Sequence, residues 1–278
     1  HGLSEHRLGN LLHQKNRNEF ILSSKVGRVY RPFKGDPILF DGSPWVGGLP
    51  FEWNFDYSAA GFERSFHDST MRLGLNRIDL LVIHDLDRSY HGKSVSNKLQ
   101  ELETGMEWLK MMKNSAAIQA FGAGINDIEM IPLFLEHFEL DFFLVAMPYT
   151  LLNQEPLEDI FPECERRGIG IIIGSPYASG VLASGSTQES KYGYATASEE
   201  MRKKVRSIEV ICEDYGIPLK AAALQFPLAH PQVSSVIPGS LSAAQVLDNI
   251  EMLKCPIPPE LWIELKHTGL LHPEAPVK

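Results

Sequence analysis

The stretch RIDLLVIHDLD, residues 77–87, sets the reading of the chain. Leu80, Leu81, Val82 and Ile83, with Ile78 just upstream, make a short apolar run of the kind buried on both faces of a parallel sheet. His84 ends the run, and Asp85 and Asp87 follow it. A strand that hides four consecutive side chains and then presents an imidazole raises the question of what the imidazole does there.

Outward from this strand the pattern repeats. Further strands are expected at 19–25 (EFILSSK), 117–124, 140–147, 169–175 and 233–239. Helices are expected between and after them. Residues 58–75 can gather Phe62, Phe66 and Met71–Leu73 on one face, and residues 96–115 carry a stripe of Leu99, Leu102, Met106, Leu109 and Met112. Further helices are expected at 127–138, disturbed by Pro132, at 155–168, stopped near Gly168, and at 197–216, with Ser198 as N-cap and Glu200 close behind. The last two lie at 219–230 and 242–253. Alternating strands and helices with doubly buried strands imply a parallel sheet covered by helices. A doubly wound dinucleotide fold would carry G-x-G-x-x-G after its first strand. The only glycines with part of that spacing, Gly122 and Gly124, lie in mid-chain. The (β/α)8 barrel is therefore favoured, as a single domain over 1–278, although six strands are counted rather than eight. Residues 26–57, rich in glycine, proline and aromatics, read as one long functional loop.

Composition narrows the partners. The 278 residues are 44% hydrophobic and 22% charged, ordinary for a globular protein, and no apolar run reaches membrane-spanning length. The formal charge of −9, without a cluster of basic residues, argues against nucleic acid and for a small-molecule substrate. Cys164, Cys212 and Cys255 have neither disulfide nor metal-ligand spacing, so no metal is expected, and no export signal is read at the start; both point to the cytoplasm. Oligomeric state leaves no mark in the sequence.

In a barrel the active site lies at the carboxyl ends of the strands. The polar residues there are Lys25, His84, Asn126, Tyr149 and Ser175, and they are expected to ring one mouth. A lysine can depress the pKa of a neighbouring phenol or bind an anion, and a neutral histidine can hydrogen-bond a reacting oxygen.

Four segments, SEHRLGNLL (4–12), LSSKVGR (22–28), RLGLNRIDLLVIH (72–84) and SVIPGSLSAAQVLDN (235–249), resemble the aldo-keto reductases. That family folds as a (β/α)8 barrel and moves hydride between a nicotinamide cofactor and a carbonyl or alcohol. The long segment after Lys25, with 168–185 and KYGY at 191–194, is most similar to a bacterial subgroup that includes dehydrogenases of L-fucose-like aldoses and of pyridoxal. The resemblance implies that Lys25 and His84 are two of the four catalytic residues. It also implies that the other two, an Asp and a Tyr, belong with two βα units preceding His1; Tyr30 is not nominated in their place. Asn126 would hold the nicotinamide carboxamide. Tyr177 or Tyr149 would stack on the ring where Gly174 offers no aromatic, with Ser175 beside them. Trp45, Phe51, Trp53 and Phe55 would cover the substrate, and Tyr149 would also touch it. The implied reaction is oxidation of a cyclic hemiacetal, sugar or pyridoxal, to its lactone. The alternatives are a non-catalytic nicotinamide-binding regulatory subunit and an NADPH-dependent aldehyde or ketone reductase.

The segment 237–249 bears on the cofactor. Gly239, Ser240 and Ser242 open a helix whose free amides suit a phosphate or ribose. NADP-specific members carry Lys and Arg where this chain has Gly239 and Gln245, while Asp248 and Asn249 match the residues that hold adenine. No cation in the segment meets a 2′-phosphate, so NAD is expected over NADP.

Overall fold

The computed structural model describes every residue except 44, 46, 194 and 278; Tyr194, the end of the KYGY stretch, therefore lies outside the described residues. The chain divides into two compact units, residues 1–130 with 134–141 and residues 131–133 with 142–278.

The first unit contains α1 (Leu3–Leu12), β1 (Ser23–Val26), β2 (Arg28–Pro32), β3 (Phe51–Phe55), α2 (Ala59–Leu73), β4 (Leu80–His84), α3 (Arg88–His91), α4 (Val95–Asn114) and β5 (Ala120–Ile125); α5 (Met130–His137) follows, with residues 131–133 belonging to the other unit. Strands β1, β4 and β5 run parallel, with Lys25 opposite Val82 and His84 opposite Gly124. Leu81, Val82 and Ile83 are almost wholly buried, as the apolar run requires. Each such side chain stabilises the fold by about 1.5–3 kcal/mol relative to exposure. The Ser58 hydroxyl accepts the amide of Gly61 and starts α2; Gly74 ends it in the left-handed conformation.

Strand β1 starts later than expected. Residues 17–19 form a 3-10 turn instead, because Arg17 reaches across to the buried carboxylate of Asp79 at 2.5 Å. Asp79 also accepts the amide of Leu22 at 2.7 Å, fixing the foot of β1 against β4.

The expectation of one long loop over 26–57 is corrected by the structure. Its two ends are strands: β2 and β3 pair antiparallel, with Arg28 opposite Phe55 and Tyr30 opposite Trp53. Alternation places Phe51, Trp53 and Phe55 on one face. The pairing partners lie 19 to 27 residues apart, too far for a short turn to announce the hairpin. Gly27 makes the corner between β1 and β2 at φ +104°, where a Cβ would come within 2.9 Å of the Tyr57 ring.

The second unit contains β6 (Phe142–Ala146), α6 (Ile160–Arg167), β7 (Gly170–Gly174), α7 (Val181–Ser184), β8 (Lys191–Tyr192), β9 (Ala195–Thr196), α8 (Glu199–Asp214), α9 (Leu219–Gln225), β10 (Val233–Ile237), α10 (Ala243–Lys254) and α11 (Pro259–His267). Strands β6, β7 and β10 are parallel neighbours, and β8 and β9 form a small antiparallel pair. Ser198 caps α8 as expected, accepting the amide of Met201. Helix α9 stops at Gln225, short of the expected residue 230. Pro227 lacks the amide an α-helix needs, and the chain goes on as a 3-10 turn. No helix among the described residues is long and apolar enough to cross a membrane.

Candidate active site

In the first unit, the carboxyl end of β4 gathers a compact charged cluster. Lys25 and His84 lie on one face of the sheet, since Lys25 pairs with Val82 and His84 is two residues further along the same strand. Lys25 is exposed and makes no hydrogen bond or ion pair among the described residues. Beside His84 the sheet carries no side chain at Gly124, where a Cβ would press within 2.9 Å of Val82. His84 is half-buried, and Asp85 Oδ2 lies 3.3 Å from its Nε2. Burial, then the cations of Arg28 and Lys25, hold the imidazole pKa well below its usual value, so the ring is neutral near pH 7.

Sequence reasoning passed over the residues that hold this cluster. The Arg28 guanidinium donates to Asp85 Oδ2 at 2.5 Å and is only 8% exposed. The rings of Trp53, Phe55 and Tyr90 surround it at 4.3, 5.1 and 5.1 Å from their centroids. Trp53 and Phe55, expected over the substrate, thus pack on a buried cation. Burial pushes the Asp85 carboxyl upward, and Arg28 opposes the shift. Below it Tyr57, fully buried, donates its hydroxyl to the carbonyl of His84 at 2.9 Å and lies 2.8 Å from His91 Nε2. The signal for Arg28 and Asp85 was a charge set directly against an apolar run, in KVGRVY and LVIHD.

Asn126 follows β5 and is exposed. Its amide nitrogen approaches Asp85 Oδ1 at 3.4 Å and Asp87 Oδ2 at 3.3 Å. Asp87 is fully buried because it caps α3, accepting the amides of Ser89 and Tyr90.

The second unit holds the remaining candidates. Ser175 follows β7 at φ +55°, and its amide donates to the carbonyl of Ile237 at 3.3 Å. The Tyr177 hydroxyl donates to Asn249 Oδ1 at 2.7 Å, and the Asn249 amide donates to Ser240 Oγ at 3.0 Å. Burial pushes the Tyr177 phenol up to about 12. Tyr177 and Asn249, expected against nicotinamide and adenine, therefore engage each other, and the network pins the turn before α10. Tyr149, expected at the substrate, is corrected: it is fully buried against Phe161, Phe226 and His230, with ring centroids 4.8–5.4 Å away. Its hydroxyl has no hydrogen-bond partner among the described residues. Ser242 caps α10, and the Gln245 side chain turns back to accept the amide of Leu241 at 2.6 Å. Gly239 is exposed, with nothing among the described residues within 4 Å of where a Cβ would stand. The segment 237–249 holds no cation of its own, yet Lys220 of α9 reaches it and pairs with Asp248. No group of His, Cys, Asp and Glu side chains able to hold a metal is found among the described residues.

The model of the Aldo/keto reductase family matches residues 1–268. The chain belongs to that family. By family it is an oxidoreductase that works with a nicotinamide cofactor. The match begins at residue 1 and lends no support to the expected family segment preceding His1. Among curated relatives, the pyridoxal 4-dehydrogenase of Microbacterium luteolum is 36% identical over 98% of this chain and 82% of that protein. The D-threo-aldose 1-dehydrogenase of a Pseudomonas species is 34% identical over 97% and 81%. Among solved structures, an aldo-keto reductase from Bacillus halodurans superposes with a TM-score of 0.70 at 20% identity, covering 98% of this chain and 79% of its own. That likeness gives the fold as an α/β barrel of the (β/α)8 type.

Proposed function

We propose that this aldo/keto reductase oxidises a cyclic hemiacetal, an aldose such as L-fucose or the internal hemiacetal of pyridoxal, to its lactone with NAD. The observation that carries this reading is the placement of Lys25 and a neutral His84 on one sheet face at the carboxyl end of β4. The names of the two dehydrogenase relatives support the substrate class. A bound nicotinamide supplies the hydride acceptor. His84 holds the hydroxyl oxygen of the substrate, and the exposed Lys25 ammonium favours negative charge developing there as the hydroxyl gives up its proton to water. In the first unit Asn126 offers its amide oxygen, unpartnered among the described residues, to the carboxamide; in the second, the open turn at Gly239–Ser240 suits a phosphate or ribose. Asp248 and Gln245 complete that turn, with Ser175, Tyr177 and Asn249 bracing it.

The preference for NAD rests on Lys220. Asp248 neutralises the only cation brought to segment 237–249 among the described residues, leaving little to attract a 2′-phosphate. The enzyme acts on small molecules in the cytoplasm, away from nucleic acid and membrane, in keeping with its charge and its three free cysteines. The test is absorbance of NADH on mixing the full chain with NAD and L-fucose, other aldoses or pyridoxal. Formation of NADH with at least one supports the reading, and no signal with any of them rejects it.

A further inference from the structure

The second unit holds a cavity of about 330 Å³ that the mechanism above does not use. It lies where the turn before α6, helix α8 and the segment after α11 meet, and its lining includes Gln154, Glu155, Glu158, Lys204, Lys266 and His272. Small-molecule sites begin at about this size, near 300 Å³. The wall is fixed from within. Gln154 is only 9% exposed; its side-chain amide donates to the carbonyl of Thr150 at 2.6 Å, and its Oε1 accepts the amide of His272 at 3.1 Å. Lys204 reaches the cavity from α8, half-buried, and donates one N–H to the carbonyl of Leu152 at 3.0 Å. An ammonium has further N–H groups to give. Yet Lys204 makes no ion pair among the described residues, although Glu155 and Glu158 line the same cavity. Burial disfavours the charged form and holds the amine below the ordinary lysine value. A lysine desolvated in this way, with no carboxylate paired to it, is suited to attack a carbonyl carbon.

We propose that Lys204 is a covalent capture site for aldehydes, its amine forming a reversible imine with pyridoxal or with the open-chain form of an aldose. The choice of aldehyde rests on the hemiacetal reading of the function; the reactivity of the amine does not. The lone pair of the neutral amine attacks the aldehyde carbon, a C–N bond forms, and the carbonyl electron pair moves onto oxygen. Both amine protons then leave with that oxygen as water, and a C=N bond remains. Nothing is oxidised or reduced, so the step needs no cofactor, and water reverses it. Lys204 belongs to the second unit and the Lys25–His84 cluster to the first. One compound is thus received in two forms, as the cyclic hemiacetal for oxidation and as the free aldehyde for capture.

The test uses the full chain without NAD, mixed near pH 8 with one equivalent of pyridoxal in one arm and of L-fucose in another. Borohydride reduces any imine to a stable secondary amine, and peptide mass mapping reads which amine carries it. Lys204 is expected to hold about tenfold more label than the average exposed lysine in at least one arm, and that arm tells which aldehyde the cavity takes. Lys204→Arg keeps a cation and a donor for the Leu152 carbonyl but stays protonated. Its imine absorbance before reduction is expected to fall by at least about a third, with an unchanged circular dichroism spectrum. Lys25→Met is expected to leave the label on Lys204 as it was. Label spread evenly over the lysines in both arms overturns the proposal, as does an undiminished imine absorbance in a folded Lys204→Arg. The wild-type map decides the matter even where a variant fails to fold. A parallel sample with NAD separates the two readings. Label at Lys204 without NADH formation rejects the dehydrogenase alone, and NADH formation without that label rejects the capture site alone.

Discussion

The ends of β4 and β7 are built alike and end differently. Each strand is followed by a non-glycine residue in the left-handed region, Asp85 at φ +48° and Ser175 at φ +55°. After β4 the turn assembles ionic groups and leaves hydrogen-bonding capacity over: the Lys25 ammonium, His84 Nδ1 and the buried Arg28 Nε have no partner among the described residues. After β7 the polar side chains close on each other, Tyr177 on Asn249 and Asn249 on Ser240. Strain of the same kind thus serves two ends. A cluster with capacity left over is suited to chemistry on a ligand, and a saturated network is suited to holding a loop still.

The sharpest way to break this contrast is to remove groups from each side. His84→Ala and Lys25→Met are expected to lower kcat by roughly a hundredfold or more with little change in thermal midpoint, as for residues that act on the reaction. NADH absorbance and circular dichroism check the two halves of that statement, and near-normal turnover in both variants would end the assignment. Tyr177→Phe should do the reverse. It leaves the buried Asn249 Oδ1 without its donor, at a cost of about 1–3 kcal/mol in stability, while kcat changes little. Denaturant unfolding measures the loss.

The cofactor preference sharpens the second region. Asp248→Asn releases Lys220 from its ion pair, and Gly239→Lys with Gln245→Arg adds two cations to the open turn. Each change is expected to move the ratio of kcat/KM for NADP over NAD upward by about tenfold, the equivalent of about 1.4 kcal/mol. An unmodified enzyme that already prefers NADP would show that Lys220 reads the phosphate despite Asp248.

The smallest expected effect is on pH dependence. His84 has its folded pKa depressed by burial and by the Arg28 and Lys25 cations, with Asp85 close by as a counter-charge. The unfolded chain therefore binds a proton near the ordinary histidine pKa that the folded chain refuses. Stability is fully present above about pH 6.5 and declines as the pH falls toward the depressed value, by at most about 1.4 kcal/mol per pH unit for one group. His91 and His230 are shifted in the same direction by burial and add to the slope. His84→Gln should make the fall in thermal midpoint between pH 7.5 and 5.5 shallower without abolishing it; an unchanged slope would mean that His84 is protonated in the folded state.

Much of this architecture was legible in the chain. The apolar run at 80–83 gave β4, and Ser198 and Gly168 marked helix ends that the structure keeps. Lys25, His84 and Asn126 were found as polar ends of apolar strands. The hairpin of β2 and β3 was not legible, because its register is set by pairing across a segment with no turn signature. Tyr149 was misplaced for a related reason: a tyrosine at a strand end looks alike whether its ring faces a ligand or, as here, Phe161 and Phe226.

What the sequence by itself determined is the local and periodic part. Alternation, helical stripes, caps and stops act within about one helical turn or one strand, so they survive without knowledge of the rest of the chain. Tertiary structure alone decided which charges meet. Arg28 finds Asp85 across 57 residues, Arg17 finds Asp79 across 62, and Lys220 finds Asp248 across 28. Such pairs depend on packing that brings distant elements within a few ångströms. The same packing makes them consequential, because a buried charge left without its partner is far more costly than one at the surface.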